Sequence, residues 1–421
     1  MPPDRITQLR IAGLRCIEDL TLDLTGLTVL IGDNGSGKST IIEALELLRQ
    51  AAEPIPFVTD IVQRKHGGFR AMVRNQAGAL KLGVTIEGAG PRLTYDFEIA
   101  EAEGKPEVIV ESLLSFGPSK TDSGRPVLSR RTNRTLIFDV ESPPKPIDPA
   151  DECRGGRPYN PGGQSLTAAQ LGLDTPPTIK RVLAALKGIE IQVPFEARPI
   201  WQQRDFQNRA GLRWPMQVDA VPSVARYAEN LPNCFHTLRN RGGEVWERVL
   251  GRTRLGLGPE FHDFRFPSNR GEIELELLSL REPGLPRPLK SLSEGQVAYL
   301  AFVAMGDLNS GRSILAIDEP EVHLNPGLLA RVLYILQDVA SECPVLLSTH
   351  SDALLDNLDD PVRTVVLCDL DPAGATKLLR PNREILADWL KDYRGIGSAI
   401  AAGYQAQVFY DGPLGPPAGD A

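Results

Sequence analysis

Apolar and polar residues alternate over residues 5–31, which is the pattern of half-buried β-strands. The alternation ends in the continuous apolar run 28–31, and a short run of that kind between glycines is typical of a buried strand at the centre of a sheet. Residues 40–50 follow a helical period instead. The apolar face of that predicted helix consists of Ile41, Ile42, Leu45 and Leu48.

The alternation of apolar and polar residues, a period of two, returns from about residue 79 to residue 140 and predicts an antiparallel meander. Its segments, separated by turn-forming residues, are 80–87, 92–100, 107–114 and 134–140. Residues 141–164 are rich in proline and glycine and almost free of apolar residues, so we predict a long, mobile surface loop there. Farther along, helical patterns cover 176–188 and 221–250, and strand-like patterns cover 262–266 and 273–280.

Composition narrows the class of protein without naming it. The 421 residues are 42% hydrophobic and 24% charged, which is ordinary for a globular chain of one large domain or two. The net charge is 46 − 54 = −8, so any binding of nucleic acid requires a local basic surface. Five cysteines without a C-x-x-C spacing argue against a disulfide framework or a zinc site. No apolar run is long enough to cross a bilayer and no signal peptide is evident, so we predict a cytoplasmic protein without membrane insertion.

Residues 32–40 read Gly-Asp-Asn-Gly-Ser-Gly-Lys-Ser-Thr and contain the P-loop pattern G-x-x-x-x-G-K-[ST]. In such a loop, backbone N–H groups and the start of the next helix wrap the phosphates of a nucleotide. Lys38 would neutralise the β- and γ-phosphates, and Ser39 would ligate Mg²⁺. A strand before and a helix after it favour this interpretation over a chance glycine-rich turn. The predicted nucleotide-binding residues of this stretch are Gly32, Asn34, Gly35, Ser36, Gly37, Lys38, Ser39 and Thr40.

A second motif is the apolar strand 313–317, which ends in Asp318-Glu319-Pro320. An aspartate at that place suits a second oxygen ligand for Mg²⁺. Glu319 directly after it suits a general base that polarises the attacking water. The structural alternative is an acidic turn after a core strand, which the P-loop elsewhere in the chain disfavours.

A third motif, Leu292-Ser293-Glu294-Gly295-Gln296, opens the helical run 297–308. Ser293 and Gly295 at a helix start predict a second surface that faces phosphate. The alternative is a capping box, in which Ser293 caps the helix and a nearby polar side chain makes the reciprocal hydrogen bond. A capping box and a phosphate-facing surface are compatible.

The fourth motif is Ser348-Thr349-His350-Ser351 after the apolar run 345–347. It follows Asp318-Glu319 with room for one helix, 326–341, and one return strand. If the two strands are parallel neighbours, His350 lies beside the phosphate end of the site, although a lone histidine in this position is more often structural.

The order of these four motifs resembles the ABC-type ATPases of the SMC/RecF/OLD group. The motifs behind this resemblance are the P-loop, Ser-Glu-Gly-Gln, Ile-Asp-Glu-Pro-Glu-Val-His-Leu-Asn-Pro and Ser-Thr-His-Ser. The match covers residues 5–50 and 285–370 well, and the middle third only in outline. It implies an α/β P-loop NTPase fold, an ABC-type head with a parallel or mixed sheet, an antiparallel β-meander lobe and a helical insertion.

The resemblance also implies a head-to-tail homodimer with ATP and Mg²⁺ sandwiched between subunits. Each ATP would lie between the P-loop of one subunit and Ser293 and Gly295 of the other. His350 would contact the γ-phosphate, and residues 321–325 would form the loop that crosses the interface. The family also has a glutamine that senses Mg²⁺, for which Gln76 is the first candidate and Gln63 the second.

On this basis we predict four parts of the chain. They are an N-terminal ATPase lobe with P-loop and meander over 1–140, a loop and helical insertion over 141–260, a C-terminal ATPase lobe over 261–410, and a flexible tail over 411–421. The chain has neither the long coiled coil of SMC proteins nor a clear metal-binding TOPRIM domain of OLD-type nucleases. Asp369-Leu370-Asp371 is a tempting metal motif that we interpret as a turn.

The segment 198–254 contains ten arginines and five acidic residues, interleaved with aromatic residues. It is a candidate surface for nucleic acid or an acidic partner, against the alternative of a solvated insertion with core aromatics. A smaller cluster consists of Arg125, Arg130, Arg131 and Arg134.

Two functions of different classes fit these observations. The first is an ATP-hydrolysing, dimerisation-coupled switch that works with DNA or a separately encoded effector protein in DNA repair or anti-phage defence. The alternative is the energising ATPase subunit of a membrane transporter, which the meander and the long insertion fit poorly. A scaffold that binds ATP without turnover is disfavoured by the intact Glu319.

Overall fold

The structure is a computed structural model of the chain. The residues that it describes are 4–74, 77–88, 90–117, 123–132, 134–138, 157–159, 161–172, 175–195, 197, 213–308 and 311–409.

A six-stranded sheet, here called the core sheet, forms the centre of the molecule. Its strands in spatial order are β10 (Ile189–Gln192), β17 (Ile314–Asp318), β18 (Val345–Ser348), β3 (Leu27–Ile31), β19 (Val365–Leu370) and β20 (Thr376–Leu379). The first five strands are parallel, and only β20 runs antiparallel to its neighbour. Because β-branched and leucine side chains fill both faces, these strands read as continuous apolar runs.

An eight-stranded antiparallel sheet forms a second layer, here called the antiparallel lobe. Its strands in spatial order are β2 (Ile17–Asp23), β1 (Arg5–Leu14), β4 (Ala79–Glu87), β5 (Arg92–Ala102), β6 (Lys105–Phe116), β7 (Arg125–Arg131), β8 (Arg134–Ile137) and β9 (Arg157–Tyr159). Strands β1, β4, β5 and β6 follow the alternation of buried and exposed positions that a sheet with one wet face requires.

Helices cover both faces of the core sheet. Those before residue 200 are α1 (Lys38–Gln50), a π-helix (Phe57–Lys65), α2 (Phe69–Met72), α3 (Thr167–Gln170) and α4 (Pro177–Lys187). Those after residue 230 are α5 (Leu231–Arg241), α6 (Gly243–Leu257), a 3₁₀ turn (Leu289–Ser291), α7 (Glu294–Asp307), α8 (Pro326–Glu342), α9 (Asp352–Leu355), α10 (Pro361–Thr364), α11 (Arg383–Trp389), α12 (Ile396–Ala401) and α13 (Gln405–Val408).

Two short three-stranded sheets complete the described fold. One contains β11 (Met216–Gln217), β14 (Glu272–Ile273) and β13 (Ser268–Asn269), and the other contains β12 (Phe261–Arg265), β15 (Glu276–Ser279) and β16 (Arg287–Pro288).

Two apolar clusters lie on opposite faces of the core sheet, because alternate residues of each strand point to opposite faces. Leu30 joins the cluster that contains α1, α4 and the antiparallel lobe. Its neighbours Val29 and Ile31 join the cluster that contains α5 to α8. The P-loop helix α1 therefore packs between the two sheets, with all four predicted apolar-face residues buried. The α/β class with a mixed core sheet and an antiparallel lobe is confirmed.

Several local predictions were wrong. Residues 125–131 form strand β7 and were not predicted as a strand, because buried Arg130 breaks the apolar pattern. Within the predicted loop 141–164, residues 157–159 form strand β9, and residues 141–156 lie outside the described part of the chain. The helix predicted from residue 221 begins only at Leu231, after a turn held by Asn230.

The predicted division at residues 140 and 260 stays a prediction. Strand β10 lies inside the predicted insertion, yet it forms the edge of the core sheet through its parallel pairing with β17. A four-residue strand directly after a helix gives too short a pattern to be recognised from sequence.

Glu111 is fully buried inside the antiparallel lobe and ties several elements together. Its carboxylate accepts hydrogen bonds from the backbone N–H groups of Thr167 and Ala168 and from the Tyr95 hydroxyl. The guanidinium of buried Arg130 lies 4.0 Å away. Burial and the Glu111 charge raise the pKa of Tyr95, so the phenol stays protonated and donates.

We expect Glu111→Leu to destabilise the fold by roughly 3–5 kcal/mol, because it leaves a buried guanidinium and three donors without their acceptor. The fall in melting temperature, measured by differential scanning fluorimetry, checks this. Glu98→Leu, which removes a carboxylate paired at 3.2 Å with the exposed Lys81, serves as the control and should cost at most about 1 kcal/mol. Equal losses in the two variants would contradict the network.

Candidate nucleotide-binding site

Two glycines fix the shape of the P-loop, which connects β3 to α1. Gly32 has φ 137° and Gly37, the residue before the helix, has φ 109°, a backbone region that favours glycine. A Cβ on Gly32 would lie 2.1 Å from the carbonyl oxygen of Cys368, and one on Gly37 would lie 2.5 Å from Thr376 Oγ1. The loop therefore presses directly against β19 and β20, which no side chain larger than hydrogen permits.

Lys38 is buried at the start of α1, with 6% of its surface exposed. Its Nζ donates to the backbone carbonyls of Gly32 at 2.7 Å and Asp33 at 3.1 Å, so the ammonium lies inside the curve of the loop. Burial lowers the pKa of Lys38, and the negative charges of Asp318 and Glu319 act in the opposite direction. These two carboxylates are thus close enough to Lys38 to share its electrostatic environment.

Asp318 is the last residue of β17 and Glu319 follows it, next to the end of β18. Ser348 Oγ donates to Asp318 Oδ1, and Ser348 is the register partner of Asp318 in the parallel pair. The Glu319 N–H donates to the Ser348 carbonyl at 3.0 Å. Glu319 has φ 49°, a left-handed conformation that costs a residue with a side chain about 1 kcal/mol or more. Such strain at a carboxylate is typical of functional residues.

His350 is exposed at the end of β18, and its backbone is held by Glu321. Glu321 Oε1 accepts from the His350 N–H at 2.8 Å and from Thr349 Oγ1 at 2.9 Å. The other oxygen, Oε2, is buried and has no hydrogen-bond partner in the described part of the chain. The residues after Asp318-Glu319 therefore position the histidine.

Ser293 caps α7 in a complete capping box, which confirms that interpretation of the motif. Its Oγ accepts from the Gln296 N–H, and Gln296 Oε1 accepts from the Ser293 N–H at 3.1 Å. Glu294 Oε2 lies 2.8 Å from Nδ1 of His323, and a Cβ on Gly295 would lie 2.8 Å from the His323 carbonyl. The signature segment, residues 292–296, thus packs on the turn that follows Glu319.

The structure brings three of the four motifs to one edge of the core sheet. The P-loop, Asp318-Glu319 and His350 follow the carboxyl ends of β3, β17 and β18, which are neighbours. Ser293 and Gly295 begin α7 beside the turn that follows Glu319, and no hydrogen bond in the described residues joins Ser293 to the P-loop. One chain therefore presents a P-loop half and, separately, an exposed signature.

Comparisons with known proteins match both parts of this site. Residues 5–86 match the family described as "AAA ATPase domain", and residues 259–356 match the family described as "AAA domain, putative AbiEii toxin, Type IV TA system". The chain is 42% identical over 364 residues to the OLD nuclease of Thermus scotoductus (strain ATCC 700910 / SA-01), a match that covers 83% of this chain and 60% of that protein.

Two further similarities are more distant. The DNA replication and repair protein RecF of Rhodococcus erythropolis (strain PR4 / NBRC 100887) is 27% identical over 108 residues, which are 25% of this chain and 24% of that protein. The crystal structure of the SMC head bound to the C-winged helix domain of ScpA superposes with a TM-score of 0.50 at 13% identity, covering 90% of this chain and 99% of that one. This likeness concerns the fold. Two regions of the chain thus match ATPase domain families, and the chain resembles proteins of the SMC/RecF/OLD group.

This chain spans 60% of the length of the OLD nuclease that it matches. No helix in the described residues of the ATPase domain is long and apolar enough to cross a membrane.

The donor atoms of the ATPase domain fit Mg²⁺, which prefers hard oxygen ligands and keeps several waters. Ser39 presents an exposed hydroxyl at the start of α1. Asp318 has one oxygen occupied by Ser348, which leaves the other for a cation or its water. Gln76, the first candidate for a Mg²⁺-sensing residue, lies outside the described residues, and Gln63 is exposed on the π-helix.

Sequence reasoning missed the residues that support the P-loop from behind. Thr376 Oγ1 donates to the Ser36 carbonyl at 3.0 Å, and Cys16 accepts from the Thr376 N–H at 2.9 Å. Ser348 was quoted within a motif without a role, and Glu321 was assigned only to the loop that would cross the dimer interface. Only a topology that places β20 beside β19 would have indicated Thr376, since it lies 340 positions from its partner.

The remaining candidates have structural roles where they are described. Asp369 and Leu370 end strand β19, and the predicted turn begins only at Asp371, whose Oδ1 accepts from the N–H groups of Ala373 and Ala375. Among the described residues, no cluster of histidine, cysteine, aspartate and glutamate suits a metal ion. Of the basic segment 198–254, residues 198–212 lie outside the described part. In the rest, Trp246 packs on Phe264, with ring centroids 5.8 Å apart. This contact fits the alternative of an insertion whose aromatic residues belong to the core.

We expect Thr376→Val to weaken nucleotide binding about five- to tenfold, since the buried Ser36 carbonyl loses its donor and the P-loop its support. Titration with a fluorescent ATP analogue measures this. Thr376→Ser keeps the hydroxyl and is the matched control, with affinity close to wild type. Weakening by the serine variant to the same extent would show that the hydroxyl is not what supports the loop.

Proposed function

We propose that this ATPase domain binds and hydrolyses ATP as a dimerisation-coupled switch that acts on DNA. The observation that carries the proposal is that Lys38 follows β3 while Asp318 and Glu319 stand at the carboxyl end of β17, with β18 parallel to and between the two strands. Phosphate-binding cation, metal-binding carboxylate and candidate base thus share one edge of the core sheet.

The parts of the site have complementary tasks. The N–H groups of the P-loop and of the first turn of α1 bind the phosphates, and the Lys38 ammonium exchanges its two carbonyl partners for phosphate oxygens. Ser39 and Asp318 would hold Mg²⁺, which neutralises charge on the β- and γ-phosphates. Glu319 orients and deprotonates the attacking water, and its strained backbone fixes the direction of the carboxylate. His350 is proposed to contact the γ-phosphate.

A second copy of the chain would complete the site. Ser293 is exposed at the start of α7, where a helix N-terminus favours an anion, and its own P-loop is not its hydrogen-bond partner. In a twofold dimer each signature segment would cover the ATP of the other subunit. ATP then acts as part of the interface, and hydrolysis separates the subunits.

DNA as the partner is supported by the identity of 42% to an OLD nuclease and by the shorter match to a DNA repair protein. We therefore assign the switch to DNA repair or anti-phage defence, together with a nuclease or another effector. ATPase rates with and without DNA test this part, and a rate that DNA leaves unchanged, without ATP-dependent DNA binding at low salt, would count against it.

We expect Glu319→Gln to bind ATP but to hydrolyse it at least about 100-fold more slowly, because the base is lost while the phosphate site stays intact. Analytical ultracentrifugation with ATP should then show a stable dimer. Lys38→Ala is the control. It should already lose nucleotide binding, the step before hydrolysis, and should therefore remain monomeric. Near-normal turnover by Glu319→Gln would place the base on another residue.

A further inference from the structure

Arg213 is a buried arginine with 3% of its surface exposed and no carboxylate within ion-pair distance among the described residues. Its guanidinium donates to backbone carbonyls instead. Nη1 donates to Leu292 at 2.7 Å and to Leu289 at 3.1 Å, and Nη2 and Nε donate to Ala197 at 2.8 and 3.1 Å. Burial lowers the pKa of Arg213, because holding this charge inside the protein costs free energy.

The carbonyls of Leu289 and Leu292 belong to the turn that leads into the signature segment, whereas that of Ala197 lies just after β10. Leu289 begins the 3₁₀ turn, and Leu292 directly precedes Ser293. Because the planar guanidinium donates to four backbone carbonyls, the fourth being that of Lys290 at 3.4 Å, it fixes where α7 begins and in which direction Ser293 points. A single ammonium group lacks the planar fork that spans carbonyls this far apart.

We propose that Arg213 is a positioning residue for the signature, which presents Ser293 and Gly295 to the ATP of a second subunit. This inference rests on the proposed composite site. The residue acts through the backbone and does not touch the nucleotide of its own subunit. Its loss should therefore spare ATP binding and impair only the step that needs the partner.

Mixing two inactive variants tests this directly. Arg213→Met should bind ATP within about twofold of wild type but hydrolyse it at least about tenfold more slowly. Lys38→Ala lacks the P-loop function but keeps its signature. In a twofold dimer of one of each, one site combines both intact halves, so an equal mixture should recover about a quarter of wild-type activity. Arg213→Lys, which keeps the charge, should be intermediate in rate with unchanged ATP affinity.

Two controls separate the possible failures. Ser293→Arg blocks the signature itself and should complement Lys38→Ala in the same way. Arg130→Met removes another buried arginine that donates to two carbonyls, but far from the signature, and should lower the melting temperature while keeping ATP-dependent dimerisation. Complementation by Ser293→Arg but by neither Arg213 variant would overturn the role of Arg213. If neither the Arg213 variants nor Ser293→Arg complemented Lys38→Ala, the composite site would be overturned, and with it the proposed function.

A different observation concerns the end of the core sheet opposite the P-loop. A groove of about 920 Å³ lies between the wet face of the antiparallel lobe and the helix α10, which precedes β19. Four arginines and two carboxylates are among its lining residues, in a chain of net charge −8. They are Arg10, Arg92, Arg363 and Arg380, with Asp23 and Glu87.

Three of these arginines have no carboxylate partner in the described residues. Arg10 is neutralised by Asp96 at 2.9 Å. Arg92 instead stacks over the ring of Phe116 at 4.5 Å, and Arg380 donates to the backbone carbonyl of Arg363 at 2.6 Å. Unneutralised guanidinium groups along one open groove match the repeated phosphates of a nucleic-acid backbone, which they bind without regard to sequence.

We infer that this groove binds the phosphate backbone of DNA, which deepens the proposed function. Fluorescence anisotropy with labelled single- and double-stranded oligonucleotides tests it. The triple variant Arg92→Gln, Arg363→Gln and Arg380→Gln should bind at least about tenfold more weakly at low salt, with a salt dependence shallower by about 2 to 3 in log–log slope. Its affinity for ATP should stay unchanged, since the P-loop lies at the other end of the sheet.

The control carries the same change in net charge at arginines paired with carboxylates. Arg64, Arg70 and Arg281 lie on the surface beside Asp60, Glu101 and Glu260, respectively. Their triple glutamine variant should bind DNA within about twofold of wild type. Equal losses in the two triple variants would overturn the groove. Absence of DNA binding by the wild-type protein would instead overturn the DNA part of the proposed function.

Discussion

The parallel register of β17, β18 and β3 is the constraint on which the rest of the structure depends. Because parallel strands end at one edge, Asp318, Ser348 and the P-loop become neighbours without being close in sequence. A shift by one residue would turn the apolar side chains of each strand to the wrong face. The two apolar clusters on either side therefore stabilise the site, although most of their members never approach a nucleotide.

A second constraint is the separation of the signature from the P-loop. The capping box and the 3₁₀ turn before it shape Ser293 as an exposed helix start, and buried hydrogen bonds from Arg213 hold the carbonyls of that turn. A segment that served only to begin a helix would not need a buried guanidinium behind it. The desolvation cost of burying the Arg213 guanidinium behind the start of α7 is consistent with a surface that has to fit another molecule in one orientation.

The sequence predicted the local chemistry better than the supports around it. Lys38, Asp318 and the Ser293 cap could be recognised because each motif occupies a few consecutive residues. Thr376, Arg213 and strand β10 could not, because their roles arise from contacts between distant parts of the chain or from segments too short to show a period. Strand β7 was not predicted because of Arg130. A charged residue in a sequence suggests an exposed position, and only the fold shows that this one is buried beside Glu111.

The turn between β17 and α8 has a mechanical consequence. Glu321 in this turn holds the backbone of His350, and His323, two residues later, contacts Glu294 of the signature segment. Asn325 then caps α8 and anchors the far end. One short stretch of backbone thus contacts both the histidine segment after β18 and the signature segment. We expect a displacement of this stretch to shift both segments together, because Glu321 and His323 lie only two residues apart.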